Sequence, residues 1–318
     1  MGFFSSLFSP VKSEEDNRKK VDRKNFDILK YDGIRAQRAG KTEYAVKCFT
    51  EALKIQADFE TMKYLMSACY MLNKPDQALE VLNTMVDAGE EPVSTLLARA
   101  NLLFTMGMNT EAVADCVRAI EIEPENPLAY FQLAKSEHAL GELTKAIGNL
   151  ENATRLKDDF AEGYALRAGI NHTLKNGNDA LTDVEKVIEL TPEDEMAYLL
   201  RGRIHELLGD TDAAFLDYRE ASELNPFNEE AYLLAGQLMM AQEKYGEAVT
   251  LFDEAIEHNE KFAKAYIERA HAKHKTGDHE GALADEEKAG ELNESNLDKK
   301  EKTAGNHNFD DLYKGNII

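Results

Sequence analysis

The sequence predicts an all-α array of tandem helix pairs, and three observations predict it. An alanine recurs on a fixed step: Ala45, Ala78, Ala112, Ala146, Ala180, Ala214, Ala248 and Ala282 are separated by 33 residues once and then by 34 residues six times. Around each marker, apolar residues fall at helical spacing, which writes two amphipathic helices into each period. The composition suits helices: 43% of the 318 residues are hydrophobic, 30% are charged and only 7 are proline.

The chain divides in order. Residues 1–12 are an apolar tip with no basic residue before its phenylalanines and no small-residue cleavage site, so a secretory signal is not expected. The start Met1-Gly2-Phe3-Phe4-Ser5-Ser6 fits the loose myristoylation pattern, with the bulky Phe3 a poor fit. A weakly membrane-seeking or self-docking tip is the better reading. In residues 13–25, Ser13 precedes Glu14, Glu15 and Asp16, acidic side chains that favour the positive end of a helix. The first repeat helix is therefore expected to begin near Glu14 and to shield one end of the array.

Eight units follow: 26–58, 59–92, 93–126, 127–160, 161–194, 195–228, 229–262 and 263–296. Sixteen positions before each marker stands Leu29, Met62, Leu96, Tyr130, Tyr164, Tyr198, Tyr232 or Tyr266. Twelve before it, usually small, stands Gly33, Met66, Ala100, Ala134, Ala168, Gly202, Gly236 or Ala270. Seven after it stands Ala52, Met85, Ala119, Ala153, Val187, Ala221, Ala255 or Ala289. The small residues permit close helix approach. Gly40, Gly107, Gly141, Gly209 and Gly277 fall between the two helices, where a left-handed turn is useful, and Pro124, Pro192 and Pro226 close three units. The eighth unit has Glu286 where the others have Phe49, Leu82, Cys116, Leu150, Val184, Tyr218 or Phe252, as suits a terminal unit. The tail, 297–318, extends a helix and then breaks at Gly305 and Asn306. Its large apolar residues Phe309, Leu312, Tyr313, Ile317 and Ile318 mark a cap or docking segment, set against a plain solvated end.

The frame of aromatic, small residue, alanine, aliphatic or aromatic, alanine and proline resembles the tetratricopeptide repeat, over residues 26 to 296. The resemblance implies a right-handed superhelical solenoid that binds other proteins. It also implies that the first helix of each unit lines a concave wall. Projected on this sequence, that wall carries Tyr64 and Tyr70 in the second unit, and Leu97, Asn101 and Phe104 in the third. The fourth supplies Phe131, Gln132, Lys135 and His138, and the fifth Leu166 and His172. Leu199, Leu200 and Arg203 come next, then Leu233, Leu234, Gln237 and Met240. Such a wall suits an apolar or amphipathic segment, with anchors for affinity and amides for the partner's backbone. For any single leucine, packing between neighbouring helices is the competing reading. The carboxylate clamp of chaperone-binding members is not assembled in any triple of units: Asn101 matches one place, but Leu97 replaces its lysine and Gln132 and Leu166 fill the later places, and elsewhere Lys264 matches one lysine while Glu268 stands where the arginine belongs. Binding to acidic chaperone termini is therefore not expected.

Composition excludes other classes. Lys plus Arg number 37 against 59 Asp plus Glu, a net −22 that repels phosphate backbones, so nucleic acid is not an expected partner. Cys48, Cys69 and Cys116 lie on apolar faces without metal or disulfide spacing, which places the chain in a reducing, cytoplasmic setting, peripheral to a membrane if the tip engages one. No run is long enough to span a membrane. His271 and His274 are three apart on one helix, but no further ligand converges, so a solvated face is expected and no metal. No phosphate loop, nucleophile elbow or zinc-protease motif occurs. The expectation is a non-catalytic scaffold or adaptor without cofactor or small-molecule substrate. A holding chaperone or assembly factor for membrane or secreted proteins is the alternative, and a metal-dependent enzyme is remote.

Overall fold

A computed structural model describes residues 14–89 and 92–303. The apolar tip and the segment 304–318, with Phe309, Leu312, Tyr313, Ile317 and Ile318, lie outside the described residues. The chain separates into two compact units, Met1–Leu156 and Lys157–Ile318.

The first unit holds α1 (Glu14–Arg38), α2 (Thr42–Ile55), α3 (Phe59–Met71), α4 (Pro75–Ala88), α5 (Pro92–Thr105), α6 (Asn109–Ile122), α7 (Pro127–Ala139) and α8 (Leu143–Leu156). The second holds α9 (Ala161–Thr173), α10 (Gly177–Leu190), α11 (Glu195–Leu208), α12 (Thr211–Leu224), α13 (Glu229–Ala241), α14 (Tyr245–His258), α15 (Ala263–Thr276) and α16 (His279–Thr303). Within each unit every helix packs on the next in sequence, and alternate helices also meet: α1 with α3, α5 with α7, α9 with α11 and α13 with α15. Odd-numbered helices are thus the first members of the pairs. All eight marker alanines are fully buried.

The turn inside each pair explains where the glycines went. Gly40, Gly107, Gly141, Gly209 and Gly277 have φ between 72° and 88°. Asn73, Lys175 and Glu243 occupy the same turn in the other three pairs with φ of 51°, 62° and 59°. The hydrogen bonds fix the conformation whatever the residue: Gly40 N–H donates to Gln37 and Lys41 N–H to Ala36, as Asn73 donates to Tyr70 and Lys74 to Cys69. Capping starts the next helices, with Asp58, Asn126, Asp194 and Asn228 accepting from first-turn amides.

Two devices lock the helices of a pair, both spanning sixteen residues. The first matches volumes. A Cβ on Gly33, Gly202 or Gly236 would come within 2.5, 2.4 and 2.4 Å of the rings of Phe49, Tyr218 and Phe252. Where the facing residue is smaller, as in Cys116, Leu150 and Val184, alanine takes the glycine's place. The second is ionic. Arg99, Arg167, Arg201 and Arg269 each grip Asp115, Asp183, Asp217 and Asp285 through Nε and Nη2, at 2.5 to 3.0 Å. The carboxylates are buried, and the two-pronged geometry satisfies both oxygens, which offsets the desolvation. Three of these guanidinium groups also lie 5.2 to 5.5 Å from a tyrosine ring, those of Tyr164, Tyr198 and Tyr266.

Candidate functional site: the first-helix walls

In the first unit, α3 presents Tyr70 exposed and Tyr64 half-buried, its ring stacked on Phe49 with centroids 5.7 Å apart. Tyr64 also lines a groove with Lys24, Ile28, Tyr31, Ile34 and Arg38 of α1. Sequence reasoning gave α1 a shielding role and missed this contribution. The signal was present in the repeat register, since Tyr31 precedes Tyr64 by 33 residues, the same step as Ala45 to Ala78.

The wall made by α5 and α7 is organised around a lysine. Leu97 and Phe104 of α5 are half-buried and Asn101 is exposed; Phe131, Lys135 and His138 of α7 are half-buried. Lys135 Nζ lies 4.6 Å from the Phe104 ring centroid and 5.8 Å from that of Phe131, so the cation joins two aromatic faces from two helices. Burial holds this ammonium below its ordinary value. Gln132 is only 8% exposed, and its Nε2 has no hydrogen-bond partner among the described residues. The expectation that Gln132 stands open on the wall is corrected by that burial.

In the second unit, α9 carries Leu166 and His172, both half-buried. Burial, with the Arg203 charge, lowers the His172 value. Leu199 of α11 is another correction: it is 1% exposed and packs in a core with Ala214, Tyr218, Ala235 and Phe252. One helical residue turns a side chain by about 100°, so its neighbour Leu200 is half-buried instead and sits on the cluster of Ala168, Val184 and Ile204. Arg203 pairs with Glu230 across α11 and α13. On α13, Leu233, Leu234 and Met240 are half-buried against the core, while Gln237 is exposed and donates Nε2 to Glu268 at 2.9 Å. Leu233, Leu234 and Gln237 line a groove with Lys264 and Ile267 of α15.

The histidines of the last pair form a short polar chain. His274 Nδ1 is 3.2 Å from His279 Nδ1, and His274 Nε2 is 3.1 Å from Glu286. Among the described residues no group of three or more His, Cys, Asp or Glu side chains is placed to hold a metal ion. Cys48, Cys69 and Cys116 are buried and unbridged, and burial, helped by Asp115 and Glu137, pushes the Cys116 thiol up to about 12. No described helix is long and apolar enough to cross a membrane.

Comparison with known proteins agrees with this arrangement. One tetratricopeptide-repeat family model matches residues 174–229 and 233–295, and a second matches 93–126. No curated protein matches in sequence. Among solved structures, the C-terminal part of a tetratricopeptide repeat-containing protein from Cytophaga hutchinsonii is similar at a TM-score of 0.62 and 16% identity, over 74% of this chain and 97% of that one. A tetratricopeptide repeat protein from Parabacteroides merdae gives 0.56 and 19%, over 73% and 92%. MamA from Desulfovibrio magneticus gives 0.51 and 16%, over 54% and 97%. At these identities the likeness is one of fold.

Proposed function

Because the chain is a tetratricopeptide-repeat protein, we propose that it is a non-catalytic scaffold or adaptor that holds a peptide or helical segment against the first-helix walls of its units. One observation carries the reading. Successive first helices leave aromatic and aliphatic side chains half-open side by side, as Ile28, Tyr31 and Tyr64 do on α1 and α3, and Leu233, Leu234 and Ile267 on α13 and α15. Polar side chains accompany them: Gln237 lines the α13–α15 groove, and Asn101 is exposed on α5. Apolar anchors beside hydrogen-bonding groups are what a guest backbone requires.

The test places a photo-activated cross-linking amino acid at Asn101 or Gln237, and as controls at the exposed Val117 and Leu216 of the second helices. Partners from native lysate should cross-link from the wall positions and not from the controls. Equal yields from all four positions would remove the reading. The segment 304–318 is assigned the role of a competing guest. Its deletion should raise the yield at Asn101 or Gln237, and an unchanged yield would end that assignment.

A further inference from the structure

The α5–α7 wall differs from the rest of this acidic chain. Helix α5 contains no aspartate or glutamate, and the one acid of α7, Glu137, is buried and takes a hydrogen bond from Asn149 Nδ2 at 2.7 Å. By contrast, three arginines of the second unit's first helices are already engaged: Arg203 holds Glu230, and Arg201 and Arg269 hold their aspartates. Lys135 Nζ lies over aromatic rings, and no carboxylate of the described residues lies within ion-pairing distance of it. One helical turn away, the buried Gln132 Nε2 has no acceptor. Two donors three residues apart on α7, one of them seated over two half-open phenylalanines, form a site that lacks a counter-group.

We propose that this wall recognises an aspartate or glutamate side chain flanked by apolar residues in an extended partner segment. The carboxylate pairs with Lys135 Nζ, and the Gln132 amide, which has no acceptor to give up, donates a second bond. The flanking apolar side chains lie on Phe104 and Phe131. Burial has already desolvated the ammonium in part, so a carboxylate at this place gains from the low local dielectric. The surrounding −22 charge rejects acidic segments elsewhere, so a match here is selective. The recognised group is a side chain inside a segment, not a chain terminus. The inference rests on the scaffold reading and narrows its ligand.

Selection from a random dodecapeptide library, displayed at the amino terminus of a phage coat protein, tests it on the full chain. Such peptides have no free carboxy terminus, so any acidic preference belongs to side chains. Enriched sequences should carry Asp or Glu between large apolar residues. Chemically made versions, acetylated and amidated, should lose roughly tenfold or more in affinity with Lys135→Met and on Asp→Asn or Glu→Gln exchange in the peptide. Lys135→Arg should retain most of the binding. Methionine in this half-buried place keeps the apolar contacts, and an unchanged circular-dichroism melt confirms that the fold is intact. Enriched peptides without acids that still need Phe104 and Phe131 would overturn this inference and leave the scaffold reading standing. Acidic peptides indifferent to Lys135→Met would overturn it as well. A pool that never departs from the starting library would count against both.

Discussion

The match between Gly236 and Phe252 gives the sharpest test of how the helix pairs are locked. In Gly236→Ala, the new Cβ stands 2.4 Å from two atoms of a fully buried ring, where carbon atoms prefer about 3.5 to 4.0 Å. Ring and backbone must separate by roughly 1 Å in a close-packed interior, an overpacking cost of ~2 to 3 kcal/mol. Alanine is a better helix former than glycine by about 1 kcal/mol, so the net loss is about 1 to 2 kcal/mol. The molecule supplies its own control. In the fourth pair Ala134 takes the glycine's place and Leu150 the phenylalanine's, sixteen residues on, so Phe252→Leu makes room for the methyl group. In the Phe252→Leu background, Gly236→Ala should therefore stabilise by up to about 1 kcal/mol, a coupling of roughly 2 to 3 kcal/mol. Native-state hydrogen exchange of α13 and α14 amides reads this locally, which matters where repeats unfold in parts. If Gly236→Ala has the same effect in both backgrounds, to within about 0.5 kcal/mol, volume matching is not what places glycine there.

Three further outcomes follow from the same contacts. Asp217→Ala leaves the Arg201 guanidinium without its partner and should cost about 3 to 5 kcal/mol in thermal or urea unfolding, whereas Arg201→Met with Asp217→Leu should cost much less. Lys175→Gly and Glu243→Gly relieve a left-handed conformation and should each stabilise by about 0.5 to 1 kcal/mol after glycine's extra unfolded-state entropy; Asn73→Gly should gain less, because asparagine tolerates that conformation. Burial works to raise the Asp285 carboxyl, but hydrogen bonds from Arg269 and Lys273, with their charges, outweigh it and hold it below the usual carboxylate range. A lowered folded-state value means stability that is present above the unfolded value, near pH 4, and lost as pH falls through the folded one. Acid melts should show this loss in the wild type, and Asp285→Asn should flatten it.

The fold was legible because a repeat array solves one packing problem eight times. Each pair buries the same faces against the same neighbours, so the marker alanines return on a 34-residue step and all are found buried. The glycines of the turns were legible too, but Asn73, Lys175 and Glu243 were not, because hydrogen bonds of the backbone, not the side chain, dictate that turn. On the first-helix faces, single residues were misread. Periodicity places a side chain only to within about one helical position, and one position separates the core residue Leu199 from the half-open Leu200. The pairing of Arg201 with Asp217 was invisible to helical spacing, since its two members sit on different helices. So was the seat of Lys135, which exists only because α5 and α7 bring Phe104 and Phe131 to the same ammonium. The sequence by itself determined which faces of each helix are apolar, a local property of its spacing. Which partner each side chain meets, and which donors are left without an acceptor, was decided by tertiary structure, because both depend on residues that lie far apart along the chain and meet only when the helices stack.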